Sequence, residues 1–158
     1  MSCIFCQISR GELPASMVHE DSQCLAFMDI HPLGRGHVLV IPKQHVVQST
    51  ETDPALTAHL FAVAHRILVA QRALGWGLEG THLLLNDGRA ANQTVPHMHV
   101  HVIPRERGDA LRSIGRLALH VTKVFGPATR RGELDRQAQQ LRQQLLGSTS
   151  AEAVAAQV

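Results

Sequence analysis

Three histidines alternate with single apolar residues in the segment "VPHMHVHVIPR", residues 95–105. An imidazole carries a donor and an acceptor that both need partners, so a half-buried row of three is costly unless the rings do chemistry. On a helix, steps of two residues turn by about 200° and scatter the rings. On a strand the same steps return to one face, roughly 6.5–7 Å apart. The pattern therefore predicts a strand that presents His97, His99 and His101 on one face and buries the residues between them.

Three interpretations of this strand compete: a solvent face, a metal site and phosphate chemistry. A solvent-facing strand would carry mostly Lys, Glu, Thr and Ser, whereas alternating histidines can chelate Zn²⁺. The preceding loop "NDGRAANQTV", residues 86–95, contains short polar groups of the kind that can bind oxyanions through backbone N–H groups. A neutral imidazole beside a phosphate pocket is a competent nucleophile, and neighbouring rings can orient it and protonate the leaving group. The loop therefore favours phosphate chemistry.

Short apolar runs predict the strands that must position this segment. Residues 16–30 predict two short strands around a turn, residues 38–41 a buried strand, and residues 81–87 a further strand. The histidine strand is expected to end at Pro104, because proline cannot donate to a ladder.

One long helix is predicted between these strands, with a cap among residues 50–53 and Gly75 as its stop. Its apolar positions, at helical spacing, are Leu56, Leu60, Val63, Ile67 and Leu74. The order of strands, helix and strands predicts an α+β fold with an antiparallel sheet of about five strands.

The last third of the chain is predicted to be helical in two pieces, residues 110–124 and 132–146, followed by ten small and polar residues that fray. It holds 7 Lys and Arg against 3 Asp and Glu, whereas residues 1–109 hold 8 and 10. The basic residues are spread out, which is typical of a solvated helix face.

The composition describes an ordered globular chain, with 44% hydrophobic and 18% charged residues. A net charge of +2 gives no indication of a nucleic-acid or membrane partner. Three cysteines do not make a disulfide framework, and no secretory leader or long apolar span is evident. We therefore expect a cytoplasmic protein with reduced thiols.

The histidine segment, of the form His-φ-His-φ-His-φ-φ with φ apolar, resembles the signature of the histidine triad (HIT) superfamily of nucleotide hydrolases and transferases. "NQTV" before it and "CIFCQISRGELPA…EDSQCLAFMDIHPLGRGHVLVIPKQH" resemble bacterial Hint-like members. The resemblance spans residues 3–109 and implies a HIT domain over residues 1–109, with residues 110–158 as a helical C-terminal extension whose end is disordered.

The resemblance implies the catalytic roles. His99 would be the nucleophile that forms a nucleotidyl-histidine, which water then hydrolyses. His101 would contact the phosphate and help the leaving group; its being His, where the transferase branch has Gln, favours a hydrolase. His37 would hold the triad from behind.

The nucleotide pocket follows from the same resemblance. Asp29 would accept the ribose hydroxyls, the apolar walls would hold the base, and the loop would contact the phosphate. The walls are Ile4, Phe5, Ile8, Phe27 and Ile30, and the loop residues are Asn86, Gln93, Thr94 and Val95. Two departures from the family pattern are Asn92, where Gly is usual, and His31, where Ser or Asn is common. Asn tolerates left-handed backbone better than most residues.

A structural zinc is implied by a further match. Cys3 and Cys6 have metal-ligand spacing, but a lone C-x-x-C is a weak signal and a closed site needs two more ligands. Similar bacterial members bind Zn²⁺ through this pair, the His of "PKQH" and the first triad His, here His45 and His97. The alternative is two free thiols and an uncoordinated His97.

Together these features imply a purine nucleoside 5′-phosphoramidase or nucleotidyl hydrolase that needs no cofactor for catalysis and forms the two-fold homodimer usual in the family. The apolar side of the long helix, Leu56 to Leu74, could form the interface of such a dimer or could pack on the sheet of its own chain. The alternatives are a dinucleoside polyphosphate hydrolase, a nucleotide-binding regulator with weak catalysis, and a zinc-binding interaction protein.

Overall fold

The computed structural model describes residues 3–109 and 129–155, and side chains as far as residue 147. The predicted helical piece at residues 110–124 lies outside this part of the chain. Within it, the order is α1 (Ile4–Ser9), β1 (Met17–Glu20), β2 (Cys24–Met28), β3 (Val38–Pro42), α2 (Pro54–Ala73), β4 (Gly80–Leu85), β5 (Val100–Arg105) and α3 (Arg131–Ala155). The described part of the chain also contains two short 3₁₀ helices, Ser49–Glu51 and Arg89–Ala91.

The sheet has five strands in the order β1-β2-β3-β5-β4, and every neighbouring pair is antiparallel. The predicted α+β class and strand number are confirmed. Every residue of β2 and β3 is buried, because both faces of the sheet centre are covered.

The histidine strand is shorter at its start and longer at its end than the sequence predicted. It begins at Val100, so His97 and His99 precede the ladder. Continuing the register of Val40 with Val100 would place Met98 opposite Pro42, which has no N–H to donate. The Met98 N–H instead donates to Val46 O at 2.6 Å.

Pro104 lies inside β5 and does not end it, contrary to the prediction. It pairs with Thr81 of β4, and the strand continues to Arg105. The pairing with β3 ends at Val102, so β5 is an edge strand on that side, where a proline is tolerated.

The long helix begins as predicted, with Asp53 accepting a hydrogen bond from the Ala55 N–H, and its buried side packs on β3, β5 and α3. Leu60, Val63 and Ile67 are buried in this core, together with Met98, Val100 and Val102, the residues that alternate with the histidines. A smaller cluster on the opposite sheet face contains Phe5, Leu25, Phe27, Leu39 and Ile41. The apolar alternation of the histidine segment is therefore confirmed.

The C-terminal helix is part of the main core. It runs to Ala155, nine residues beyond the predicted end, and packs on α2, β1 and β2. Its buried positions are Leu134, Ala138, Leu141 and Leu145. The extension thus shares its hydrophobic core with the sheet.

No helix in the described part of the chain is both long enough and apolar enough to span a bilayer.

Candidate active site

A cavity of about 440 Å³ opens beside β5, on the sheet face that α1 covers. Its lining includes His99, His101 and nine of the ten predicted nucleotide-binding residues: Ile4, Phe5, Ile8, Phe27, Asp29, Ile30, Asn86, Thr94 and Val95. Residues far apart in the sequence therefore converge on one concavity of the size that ligand pockets usually have.

Large apolar side chains at this cavity remain open to solvent. Ile4 is 45% exposed, Ile30 44% and Leu84 38%. Aliphatic side chains gain free energy when an apolar surface covers them, at roughly 25 cal/mol per Å². The rim is thus suited to the flat apolar face of a base.

The hydrogen bond of His99 defines which of its nitrogens can react. Its Nδ1 lies 2.7 Å from the backbone carbonyl oxygen of His97, so Nδ1 carries the hydrogen and donates it. Nε2 then holds the lone pair. The ring is 3% exposed, and burial lowers the pKa of His99, which keeps it neutral. The edge-to-face contact with Phe5, at 5.3 Å between centroids, fixes its plane.

His101 is oriented from behind by His37. The Leu33 N–H donates to His37 Nδ1 at 3.2 Å, which leaves His37 Nε2–H to donate to His101 Nδ1 at 2.9 Å. This assignment places the hydrogen of His101 on Nε2. His37 is fully buried and is not among the residues that line the cavity.

The backbone just before His37 is clamped by two helices. The Gly36 N–H donates to Gln137 Oε1 of α3 at 3.0 Å, and Gln71 Nε2 of α2 donates to Gly36 O at 2.9 Å. Gly36 has φ +78°, and a Cβ there would lie 2.6 Å from the Trp76 ring. The C-terminal helix therefore helps to hold the backbone that positions His37.

Gln93 braces the loop from within and is the one predicted nucleotide-binding residue that does not line the cavity. Its Oε1 accepts from the Gly88 N–H at 2.9 Å, and its Nε2 donates to Val47 O at 2.7 Å. Asn92 has φ 62° and ψ 33°, so the residue in the usual glycine position adopts the left-handed backbone expected of it.

The loop amides are used within the loop itself. The N–H groups of Ala91 and Gln93 both donate to Gly88 O, and that of Asn92 donates to Arg89 O. The expected oxyanion cradle of backbone N–H groups is therefore not formed by these three residues. Phosphate contacts would fall instead to side chains on the lining, such as Asn86 and Thr94.

The four predicted metal ligands converge next to the cavity. One ligand atom each from Cys3, Cys6, His45 and His97 lies within 4.8 Å of the others. His97 Nδ1 is 3.3 Å from His45 Nδ1, and 3.5 Å and 3.6 Å from the sulfurs of Cys3 and Cys6.

The second nitrogen of His97 tests whether this set fits a metal. His97 Nε2 lies 2.9 Å from Pro42 O, so it carries the hydrogen and Nδ1 presents its lone pair to the cluster. Burial lowers the pKa of His97 and so favours the neutral ring that a metal requires. Two thiols and two imidazoles are a donor set typical of a closed zinc site. The residues fit a zinc ion.

Several cavity residues were not predicted from the sequence. Leu39 and Leu84 both pair with His101 across the sheet, which places them on its face. Strand register, which the sequence does not give, was the missing information. Pro14, Ala15, Met28, Leu33 and Ile103 also line the cavity, and so do His31 and Asn92, which the sequence had marked only as departures.

Residues 10–108 match the family model of the HIT domain. This chain belongs to the HIT domain family. An uncharacterized HIT-like protein of Mycobacterium tuberculosis is 49% identical over 111 residues, which cover 70% of this chain and 76% of that protein. Adenosine 5′-monophosphoramidase hnt1 of Schizosaccharomyces pombe is 39% identical over 105 residues, covering 66% and 75%.

The likeness to a solved HIT structure extends beyond the matched domain. A Zn-bound histidine triad family protein from Mycobacterium smegmatis superposes with a TM-score of 0.76 at 38% identity. The superposition covers 96% of this chain and 98% of that one. The family model ends at residue 108, whereas this superposition also takes in α3, so the C-terminal helix has a counterpart in a relative.

Proposed function

We propose that this HIT protein is a purine nucleoside 5′-phosphoramidase that works through a nucleotidyl-histidine. The observation that carries the proposal is the hydrogen bond from His99 Nδ1 to the carbonyl of His97, which leaves the lone pair on the opposite nitrogen, Nε2, of a buried neutral ring that lines the cavity and so leaves it free to attack a phosphate. The name of the fission-yeast relative, an adenosine 5′-monophosphoramidase, supports this substrate class.

The reaction proceeds in two displacements. The Nε2 lone pair of His99 attacks the α-phosphorus, an Nε2–P bond forms, and the P–N bond to the leaving amine breaks. The leaving nitrogen takes its extra proton from solvent before the bond breaks, so the amine departs as a neutral molecule, while the Nε2–H of His101, the ring that His37 orients, donates a hydrogen bond to a phosphoryl oxygen. Water then gives its oxygen to phosphorus and a proton to solvent, which releases the nucleoside monophosphate and restores His99.

The charge of the cavity favours a substrate with a single phosphate. Its described lining contains no Lys or Arg, so no fixed positive charge is present there to hold a polyphosphate chain. The Asp29 carboxylate lies on the lining, where it can accept ribose hydroxyls. A dinucleoside polyphosphate is therefore the less suitable substrate.

The proposal includes a zinc ion held by Cys3, Cys6, His45 and His97. Zinc would supply no chemistry to the reaction; it would fix α1, and with it Phe5, against the segment that carries His99. Thiols that hold zinc must stay reduced, so the proposal places the chain in the cytoplasm.

A two-fold homodimer is the assembly we propose, by extension from the family. Apolar side chains at and beyond the end of α2 support it, because Val69 is 48% exposed and Leu78 67%. Sedimentation equilibrium tests this part, and a monomer at all concentrations would contradict it.

The decisive experiment compares His99→Gln with His65→Gln, an exposed position on α2 away from the cavity. We expect hydrolysis of adenosine 5′-phosphoramidate to fall by at least about 10⁴-fold in the first variant, the scale of nucleophile loss in other covalent enzymes. The second should retain wild-type activity. Equal activity of His99→Gln and wild type would refute the proposal.

A substrate panel separates the proposal from its alternatives. Aminoacyl adenylates, phosphoramidates and dinucleoside polyphosphates are compared by kcat/KM. A higher kcat/KM for the dinucleoside polyphosphate would show that the protein is a dinucleoside polyphosphate hydrolase. Nucleotide binding without turnover would show that it is a regulatory protein.

A further inference from the structure

A second cluster of metal-ligating side chains lies where the β1–β2 turn meets α2. Asp21 Oδ2 is 3.1 Å from His19 Nε2, 2.8 Å from His59 Nε2 and 3.4 Å from Cys24 Sγ. Cys24 Sγ is also 3.8 Å from His59 Nε2. These residues are separate from the zinc ligands and from the cavity lining.

We propose that His19, Asp21, Cys24 and His59 form a second binding site for a divalent metal of the zinc class.

The geometry of Asp21 is the first support for this site. Its Oδ1 already accepts the N–H groups of Gln23 and Cys24, each at 2.8 Å, so the carboxylate is locked and Oδ2 is aimed inward. Three donors then converge on Oδ2, which has only two lone pairs. The ligand atoms of His19, Asp21 and Cys24 lie within 4.8 Å of one another, and His59 Nε2 approaches two of these groups, Asp21 and Cys24. A cation held by the first three groups would take the His59 ring as its fourth ligand after a small movement of that side chain.

The donor set is the second support. Two imidazole nitrogens, one carboxylate oxygen and one sulfur can provide the four ligands of a tetrahedral zinc ion. His19 and His59 approach from different elements, a strand and a helix, and both rings present Nε2. The side chains of His19, Asp21 and His59 are 17%, 27% and 34% exposed, so a metal has a route from solvent.

Cys24 in this cluster is a ligand candidate and not a nucleophile. Its residue is fully buried, and burial, with a contribution from Asp21, raises the pKa of its thiol to about 12. A metal in contact with the sulfur would displace the thiol proton, as metals do for coordinating thiols. Binding therefore releases one proton, while each imidazole keeps its single hydrogen by moving it to Nδ1.

The consequence of occupancy would be structural. The metal would tie the β1–β2 turn to α2, and free metal above the dissociation constant would raise the melting temperature by mass action. It would take no part in the reaction at His99.

The first test counts zinc bound to the full-length apo chain by equilibrium dialysis and elemental analysis. We expect two equivalents for wild type and for the control His65→Gln, and one for His19→Gln/His59→Gln and for Cys3→Ser/Cys6→Ser. Glutamine keeps an N–H that can donate to Asp21, so the double variant is chosen to fold. Its second-site affinity should fall by more than about tenfold, since even groups outside the ligand shell contribute 10–100-fold. One equivalent for wild type, or two for the double His variant, would overturn the proposal.

The second test does not depend on the His variants. Cys24 is the only remaining cysteine in Cys3→Ser/Cys6→Ser. Cobalt added to this variant should give a thiolate-to-cobalt charge-transfer band, and additional Cys24→Ala should remove it. A cobalt complex without that band would show that Cys24 is not a ligand and would overturn the four-ligand site.

Discussion

The dependence of the HIT domain on the C-terminal helix can be measured with one pair of leucines. Leu141 of α3 is fully buried in the main core, and Leu146 of the same helix is 70% exposed. Changing either to Ala removes three carbons from one helix. At about 0.8 kcal/mol per buried carbon the transfer loss at Leu141 is about 2.4 kcal/mol. A cavity contribution brings the total destabilisation to about 3–4 kcal/mol, within the usual range for Leu→Ala.

The assay is thermal and urea unfolding followed by far-UV circular dichroism, at one fixed zinc concentration because bound metal shifts stability. For a chain of this size the Leu141→Ala loss corresponds to a fall in melting temperature of about 6–16 °C. Leu146→Ala should change the free energy of unfolding by no more than about 0.5 kcal/mol. Equal shifts for the two variants would refute the packing of α3 on the sheet and on α2.

Three further predictions concern the loop, the N-terminus and the surface. Gln93→Ala should lower the free energy of unfolding by about 1–3 kcal/mol, because it removes two hydrogen bonds to half-buried backbone groups, the Gly88 N–H and the Val47 carbonyl. The variant should also lower kcat/KM because the loop is less well held; urea unfolding and steady-state kinetics measure the two effects. Cys3→Ser/Cys6→Ser should raise KM more than it lowers kcat, since zinc loss frees the Phe5 wall and leaves His99 in place; an unchanged KM would contradict this. Arg105 lowers the pKa of Asp109 to about 2, so the pair stabilises the fold above about pH 4 and that contribution is lost as pH falls toward 2. Asp109→Asn should therefore lower the free energy of unfolding by about 1 kcal/mol at about pH 6 and by less at about pH 3, as measured by urea unfolding. The amount is small because solvent screens the pair.

Local sequence patterns predicted which segments form helices and strands, but the exact start of a strand depends on its pairing with distant strands. The helical spacing of Leu60, Val63 and Ile67 predicted the buried side of α2, and the alternation around His99 predicted the buried side of its segment; both were confirmed. Leu56, the first residue of the predicted stripe, is only half-buried and lies outside the core cluster. The start of β5 at Val100 depends on Pro42, a residue 58 positions away that has no N–H to donate. Such long-range pairing cannot be read from a single segment.

For the candidate site, too, the sequence predicted some of the contacts and missed others. Residue types and the family resemblance were enough to bring His45 and the two cysteines to His97. The bracing role of Gln93 was missed, because a glutamine in a polar loop has the same appearance whether it binds a ligand or the backbone. The contact of Gln137 with Gly36 was missed because the helix that carries it is distant in sequence.

The central claim is that His99 Nε2 bonds to phosphorus. Wild-type protein is mixed with excess adenosine 5′-phosphoramidate, quenched in alkali to preserve an acid-labile P–N bond, digested and sequenced by mass spectrometry. The account predicts one adenylyl group on the peptide that contains His99, located on that residue. Labelling of a different side chain, or normal turnover with no labelled peptide at any quench time, would contradict it.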